Sequence, residues 1–512
     1  MLIRSHMSKR FIATLVVALL LAFSIPVPAS PAPLWQLKID PWVLQSAQEG
    51  ETEFLVFLGE QADLSGAAAL QSKAAKGAYV YQKLTEVAGR TQPTLLAALR
   101  GMSVPYRPFW VANMVWVRGD QAAIQALAMR PDVAHLYANP SVRLEPSITP
   151  PDAPLAPETA DSVAWNVQKI SADSVWALGY AGQGVVIGGQ DTGYDWEHPA
   201  LINQYRGWDG AVAEHNHNWH DAIHEDNLNS PGENICGFNS IVPCDDNGHG
   251  THTMGIMLGD DGASHQIGVA PGARWIGCRN MENNWGTPAT YAECYQWFIA
   301  PTDLEGGDAN TALAPDVINN SWSCPPSEGC TDPNVLLTVV ENVRFAGILT
   351  VHSAGNSGSG CSTVNAPAAI YQASFSVGAT TSSDNIATFS SRGPVTVDGS
   401  NRLKPDVAAP GVGINSSLPG GGYGSLSGTS MAAPHVAGLA ALLISVDPSL
   451  RGQVDRLEAL IEHTALPKTA TQTCGGVPGS SIPNNTYGWG RVDALHAASM
   501  LLNPFYLPLI GR

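Results

Sequence analysis

Residues 185–199 read VVIGGQDTGYDWEHP. The apolar run Val185–Ile187 gives way within four residues to an aspartate, a small hydroxyl residue and a glycine. A buried strand reads this way when it delivers a polar side chain at its carboxyl end. An Asp-Thr-Gly element serves two chemistries. In one, two facing carboxylates share a proton; in the other, a single carboxylate stands behind a histidine and a serine. The first needs a second Asp-Thr-Gly or Asp-Ser-Gly, and the 512 residues hold neither. Asp191 is therefore expected to act with a histidine and a serine.

Both are present in suitable contexts. DDNGHGTHTMG (245–255) sets His249 between glycines, where backbone lets an imidazole approach a substrate, and His252 follows at helical spacing. Read as metal ligands, the two histidines lack the glutamate of the zinc-protease helix. LSGTSMAAPHVAGLAALLIS (426–445) places Ser430 directly before a helical Ala/Leu/Val run, with Pro434 expected in its first turn. A helix start offers free amides and the positive end of the dipole, which suits a serine whose substrate becomes an oxyanion. In SAGNSG (353–358), Asn356 closes another apolar run.

DTGYDWEHP, NGHGTHTMG, SAGNSG and SGTSMAAPHVAG, in that order, resemble the four signature segments of the subtilisin-like serine proteases, the subtilases, over about residues 168–500. NWHDAIH, PCDDNGHGTHTMG and VINNSWSCPPSEGC resemble the bacillopeptidase F-type branch most. The resemblance implies an α/β fold with a mainly parallel sheet flanked by helices, preceded by a small α+β, ferredoxin-like propeptide domain. It implies Ser430 as nucleophile, His249 as general base and later acid, Asp191 as the group orienting the imidazole, and Asn356 as oxyanion donor. It makes Ser321, Trp322 and Ser323 of NNSWSCPP the substrate-binding segment, although Ser323 and Cys324 stand where glycines are commoner. No cofactor is implied for catalysis. Ala200 occupies a position where many subtilases carry a calcium-binding aspartate, so structural calcium stays open and unassigned, with Asp195, Glu197 and the acidic loops as remaining oxygen donors. The metal-ligand set is unknown. A catalytically silent binding module on the same fold is the alternative reading.

Outward from these motifs, VVIGGQDTG, DVINNSW, GILTVHSAGN, SFSVGAT and DVAAPG read as strands buried on both faces, as in a parallel sheet. The insertion EHNHNWHDAIHEDN (214–227) holds His215, His217, His220 and His224 and is expected to be a polar surface loop. With 44% apolar and 14% charged residues, the chain can bury a large core. A net charge of -18 without a basic cluster excludes nucleic acid as a partner class. Eight cysteines, all between Cys236 and Cys474, suggest disulfides; sequence neighbours offer Cys236 with Cys244, Cys278 with Cys294 and Cys324 with Cys330, leaving Cys361 for Cys474, one of about 105 connectivities that eight cysteines allow.

Upstream, EFLVFLG, an Ala/Leu-rich stretch over 67–99, WVANMVWVRG, QAAIQALAMR and VAHLYANP read as β-α-β-α-β, a small domain over 37–144. Residues 145–162 hold five prolines and read as an accessible linker suited to cleavage. Residues 1–32 carry basic residues, then FIATLVVALLLAFSI, then small residues, the layout of a secretory signal. No other stretch is expected to span a membrane once that signal is removed. The expected domains are thus a signal (1–32), propeptide (37–144), linker (145–162), catalytic domain (163–502) and tail (503–512). The protein is expected to be secreted, with proteins or peptides as substrates and its own propeptide as intramolecular inhibitor.

Overall fold

The computed structural model of the protein describes residues 33–144, 162–226 and 234–502. The expected signal, almost all of the expected linker and the expected tail lie outside the described residues.

In the first unit, α1 (Pro41–Ser46) is capped by Asp40 and leads into β1 (Thr52–Leu58). The alternate residues of β1 feed two cores, the period-two pattern of a strand between layers. Phe54, Val56 and Leu58 face Leu95 and Leu99 of α2 (Lys73–Met102) and Ile124 and Leu127 of α3 (Gln121–Ala128). Leu55 and Phe57 face the opposite way, into a core shared with the second unit. β1 pairs antiparallel with β3 (Met114–Gly119) and β4 (Val133–Ala138), and β2 (Tyr106–Phe109) lies beyond β3. The strand expected over 110–119 begins only at Met114. Residues 110–113 form a turn, with Asn113 at a left-handed φ of 41°. The Trp110 and Val111 amides donate to Gln296 Oε1 at 2.6 and 3.1 Å, so the apolar character of this stretch serves the junction between units.

After β5 (Val142–Arg143) and β6 (Ser162–Val163), the second unit is built on a sheet ordered β16-β15-β14-β13-β7-β10-β8. Its strands are β7 (Val186–Asp191), β8 (Trp219–Asp221), β10 (Arg274–Arg279), β13 (Val317–Asn320), β14 (Leu349–Ser353), β15 (Phe375–Thr380) and β16 (Val407–Pro410). Every neighbouring pair is parallel. The five expected apolar runs supply β7 and β13 to β16.

One face carries α4 (Trp165–Lys169), α5 (Ala172–Trp176), α6 (His249–Leu258), α9 (Thr429–Val446), α10 (Val454–Thr464) and α11 (Ala494–Leu502). The other carries α7 (Pro288–Ile299) and α8 (Leu337–Phe345), over which the first unit sits. By length and composition α9 could cross a membrane, contrary to the expectation that no second stretch could, but 89% of it is buried inside the protein. Such a helix is apolar all round because protein surrounds it. Shorter pairings complete the unit: β6 with β9 (His265–Gln266), β11 (Met281–Glu282) with β12 (Trp285–Gly286), and β17 (Ile414–Leu418) with β18 (Gly422–Leu426).

The insertion at 214–227 corrects another expectation. It is not simply a polar loop, for Trp219 and Ala222 are buried and β8 extends the parallel sheet. Its histidines have three sets of partners: His215 meets Tyr205 Oη, His217 the Asp308 carbonyl, and His220 and His224 share Glu293 Oε1, at 3.0 and 2.7 Å. Burial alone would raise the Glu293 carboxyl, but those two hydrogen bonds hold it well below the usual range.

The chain builds β10 and β8 on one side of β7 and β13 to β16 on the other. Strand order therefore reverses between β7 and β13, the crevice where open α/β sheets bind ligands. Asp191 ends β7, and Ser321 follows β13.

Cys236–Cys244, Cys278–Cys294, Cys324–Cys330 and Cys361–Cys474 form four disulfides, spanning 8, 16, 6 and 113 residues of sequence. Cross-links restrict the unfolded chain more as the closed loop lengthens. Replacing Cys361 and Cys474 by serine should therefore lower stability by about 5 kcal/mol, against about 2 kcal/mol for the Cys324 and Cys330 pair, on the chain-entropy scale. Urea unfolding midpoints of the two double variants test that ranking.

Candidate active site

The crevice is organised by buried carboxylates. Asp191 Oδ1 accepts from His249 Nδ1 at 2.7 Å and from the Thr192 amide at 2.8 Å, while Oδ2 accepts from Thr253 Oγ1 at 3.4 Å. His249 is the first residue of α6, so the helix presents its ring at the sheet edge. Asp245 fixes that helix start. Its Oδ1 accepts from Thr192 Oγ1 and the Asn247 and Gly248 amides; its Oδ2 accepts from the Thr251 amide and hydroxyl, all at 2.6–3.0 Å. This satisfies amides that a helix start leaves without partners. Gly193 permits the approach: its φ is +114°, and a Cβ there would meet Cys244 O at 1.8 Å.

Burial alone would push the His249 imidazolium down. The Asp191 carboxylate, with Asp245 behind it, more than offsets this and raises the ring above the ordinary histidine value of 6.5. His252, one turn along α6, is different. Its Nε2 donates to Ile414 O and Gly424 O, and burial pushes it down to about 3, so it is a neutral core residue.

Arg279, at the end of β10, holds the segment leading to Asp245. Its fully buried guanidinium reaches Asp246 Oδ2 at 2.7 Å, Asn234 Oδ1 at 2.8 Å, Gly237 O at 3.0 Å and Asp221 Oδ2 at 3.3 Å. Among the described residues, no group of three or more His, Cys, Asp or Glu could hold a metal ion.

Ser430 is the second residue of α9, and α9 packs against α6. Its Oγ donates to Ser321 O at 3.1 Å, and Ser321 Oγ donates to Ser430 O at 3.0 Å. Pro434 explains the second bond. It lies in the second helical turn rather than the first, and having no N–H it cannot satisfy Ser430 O four residues back. The Ser321 hydroxyl supplies that donor from the neighbouring strand end.

Asn356 follows β14, and its Oδ1 accepts from the Thr429 amide at 2.8 Å and the Thr429 hydroxyl at 2.9 Å. A Cβ on Gly428 would stand 3.5 Å from Asn356 Nδ2 and 3.6 Å from the Ser430 amide. The Asn356 side-chain amide and the Ser430 backbone amide thus lie near one another beside Gly428.

Of the remaining expected residues, Trp322 is buried and stacks on Tyr291 at 3.9 Å, placing its ring in the second core, while Ser323 is half-buried. Sequence reading did not pick out Asp245, Thr192 or Arg279. Nor did it pick out the buried amide chain Asn280–Gln190–Asn320, joined at 2.9 and 2.6 Å, which links the ends of β7 and β13. The doubled aspartate four residues before His249 was the signal available for Asp245; the amide chain had none.

The chain is similar to known proteins. Residues 182–490 match the family described as the Subtilase family. The chain is 36% identical over 441 residues to Bacillopeptidase F of Bacillus subtilis (strain 168), which covers 83% of this chain and 29% of that protein. It is 32% identical over 363 residues to Subtilisin E of the same organism, covering 69% of this chain and 76% of the relative. It is 34% identical over 310 residues to Subtilisin of Bacillus pumilus, covering 59% and 92%.

The two carboxylates predict a titration. His249 should titrate above 6.5, Asp245→Asn, which keeps one of the two acceptor oxygens, should lower its midpoint, and Asp191→Asn should lower it further. Histidine ring resonances followed by NMR across the pH range check the order.

Proposed function

Because this chain belongs to the subtilase family, we propose that it is an exported serine endopeptidase, made as a zymogen that processes itself. The observation that carries this reading is the Asp191–His249 pair at the strand-order reversal, with Ser430 and Asn356 on adjoining elements. In this reading Ser430 Oγ leaves Ser321 O and attacks a peptide carbonyl carbon as His249 Nε2 takes its proton. The oxyanion is held by the Ser430 amide and Asn356 Nδ2. His249 returns the proton to the leaving amine as the C–N bond breaks, giving an acyl-enzyme. Water then attacks the ester with the same histidine as base, releasing the acid and restoring Ser430. Asp191, hydrogen-bonded to His249 Nδ1, orients and stabilises the imidazolium.

The four disulfides support an oxidising destination. The first unit supports zymogen control: after β5 the chain enters residues 145–161 and resumes in the second unit at Ser162, so the units are joined covalently through that proline-rich stretch alone. Cleavage between 144 and 163 would separate them covalently and release the first unit as inhibitor.

Two results test this. Ser430→Ala should accumulate as a full chain retaining residues 37–144, whereas wild type should yield a form whose N-terminus lies between 145 and 163; N-terminal sequencing from a protease-free host distinguishes them. Hydrolysis by wild type should be lost as pH falls, because the base works only when neutral, and the acid limb of kcat/KM should lie above pH 6.5, since the His249 value is raised.

A further inference from the structure

The first unit ends by lying on the second as an extended peptide would. β5 pairs antiparallel with β12, Val142 opposite Gly286 and Arg143 opposite Trp285, and the Leu144 amide donates to Asn284 O at 2.7 Å. On the other side, Val142 packs with Cys324 and Cys330, and the Arg143 amide donates to Glu328 Oε2 at 3.0 Å. Residues 142–144 therefore fill a groove between the 281–286 hairpin and the disulfide-closed 324–330 loop. That loop begins three residues after Ser321, whose carbonyl accepts from Ser430.

Along this strand the side chains alternate. Val142 and Leu144 are buried, while Arg143 is exposed and its guanidinium stands 5.9 Å from the centroid of the Trp285 ring. In strand addition the main chain supplies affinity and the alternating side chains supply selection. Charge points the same way. Glu225, Asp226, Glu282 and Glu328 of the second unit form, with Trp285, one side of a cavity of about 700 Å³ at this junction, whose other side is the first unit's, with Glu51, Glu53, Arg107 and Arg118. The first unit meets that flank with arginines: Arg118 pairs with Glu225 at 3.1 Å, Arg107 with Glu293 at 3.5 Å, and Arg143 covers Trp285.

We propose that Trp285 and the carboxylates around it form a subsite that selects a lysine or arginine side chain in an extended protein substrate, at the strand position Arg143 occupies here. This rests on the protease reading and on departure of the first unit from the groove. The preferred segment is apolar, basic, apolar, with the apolar side chains turned into the protein and the cation laid across the indole face.

The test is digestion of a proteome-derived peptide library by the wild-type protein, with cleaved sequences aligned on the broken bond. Arg and Lys should be about three- to tenfold over-represented relative to Asp and Glu at one fixed position on the acyl side, the scale of an exposed cation–π contact aided by screened charges. Trp285→Ala and Trp285→Leu should abolish that enrichment at that position alone, and Glu225→Gln combined with Glu328→Gln should reduce it. Labelling by a serine-directed fluorophosphonate confirms that each variant is folded and reactive. Cleavage without enrichment, or enrichment unchanged in both Trp285 variants, overturns the subsite and leaves the protease reading intact. Wild type that neither cleaves nor labels overturns the protease reading and the subsite with it.

Discussion

A carboxylate removed from water must be met by donors or it destabilises the fold that buries it. Two carboxylates at the crevice impose that condition on everything around them. Asp191 is met by an imidazole, a backbone amide and a threonine hydroxyl, and Asp245 by three amides and two hydroxyls. Thr192 serves both, donating its amide to the first and its hydroxyl to the second. The end of β7, the loop before α6 and the first turn of α6 are thereby fixed relative to one another. His249 gains both its orientation and its raised proton affinity from that arrangement.

Much of this was legible in the chain, and for a physical reason. Strands buried on both faces read as nearly unbroken apolar runs, so β7 and β13 to β16 stood out, and residues at their carboxyl ends were natural candidates. β10 did not stand out, because RWIGCR begins and ends with arginine. The second of these, Arg279, is buried only because carboxylates far apart in sequence surround it, a condition no local window shows. β8 was hidden likewise among histidines and aspartates whose partners lie on α7 and in distant loops. Pro434 was placed one turn too early because the donor that compensates for it, Ser321 Oγ, comes from another strand.

The junction between the two units combines an apolar core with single polar anchors. Lys73 reaches Asp316 at 2.9 Å and the Ala314 carbonyl at 2.6 Å, Asn342 donates to Val111 O at 2.6 Å, and Asn139 accepts from the Ala289 amide at the start of α7. Asp316 and α7 also have partners within the second unit. Asp316 holds Arg451 and the Val186 amide, and α7 has its Thr287 capping box. Apolar surface of α7 and α8 lies under the first unit, and its burial favours the joined state.

Arg279 has a last consequence. Loops of this kind, acidic and folded around a positive centre, are commonly organised by a dissociable ion, whose occupancy follows its concentration outside. Here the positive centre is attached to β10 by a covalent side chain. It has no off-rate and cannot be competed away, and dilution does not empty it. Asp221 at the end of β8, and Asn234, Gly237 and Asp246 on the approach to His249, are therefore held to one side chain for as long as the sheet that carries it is intact.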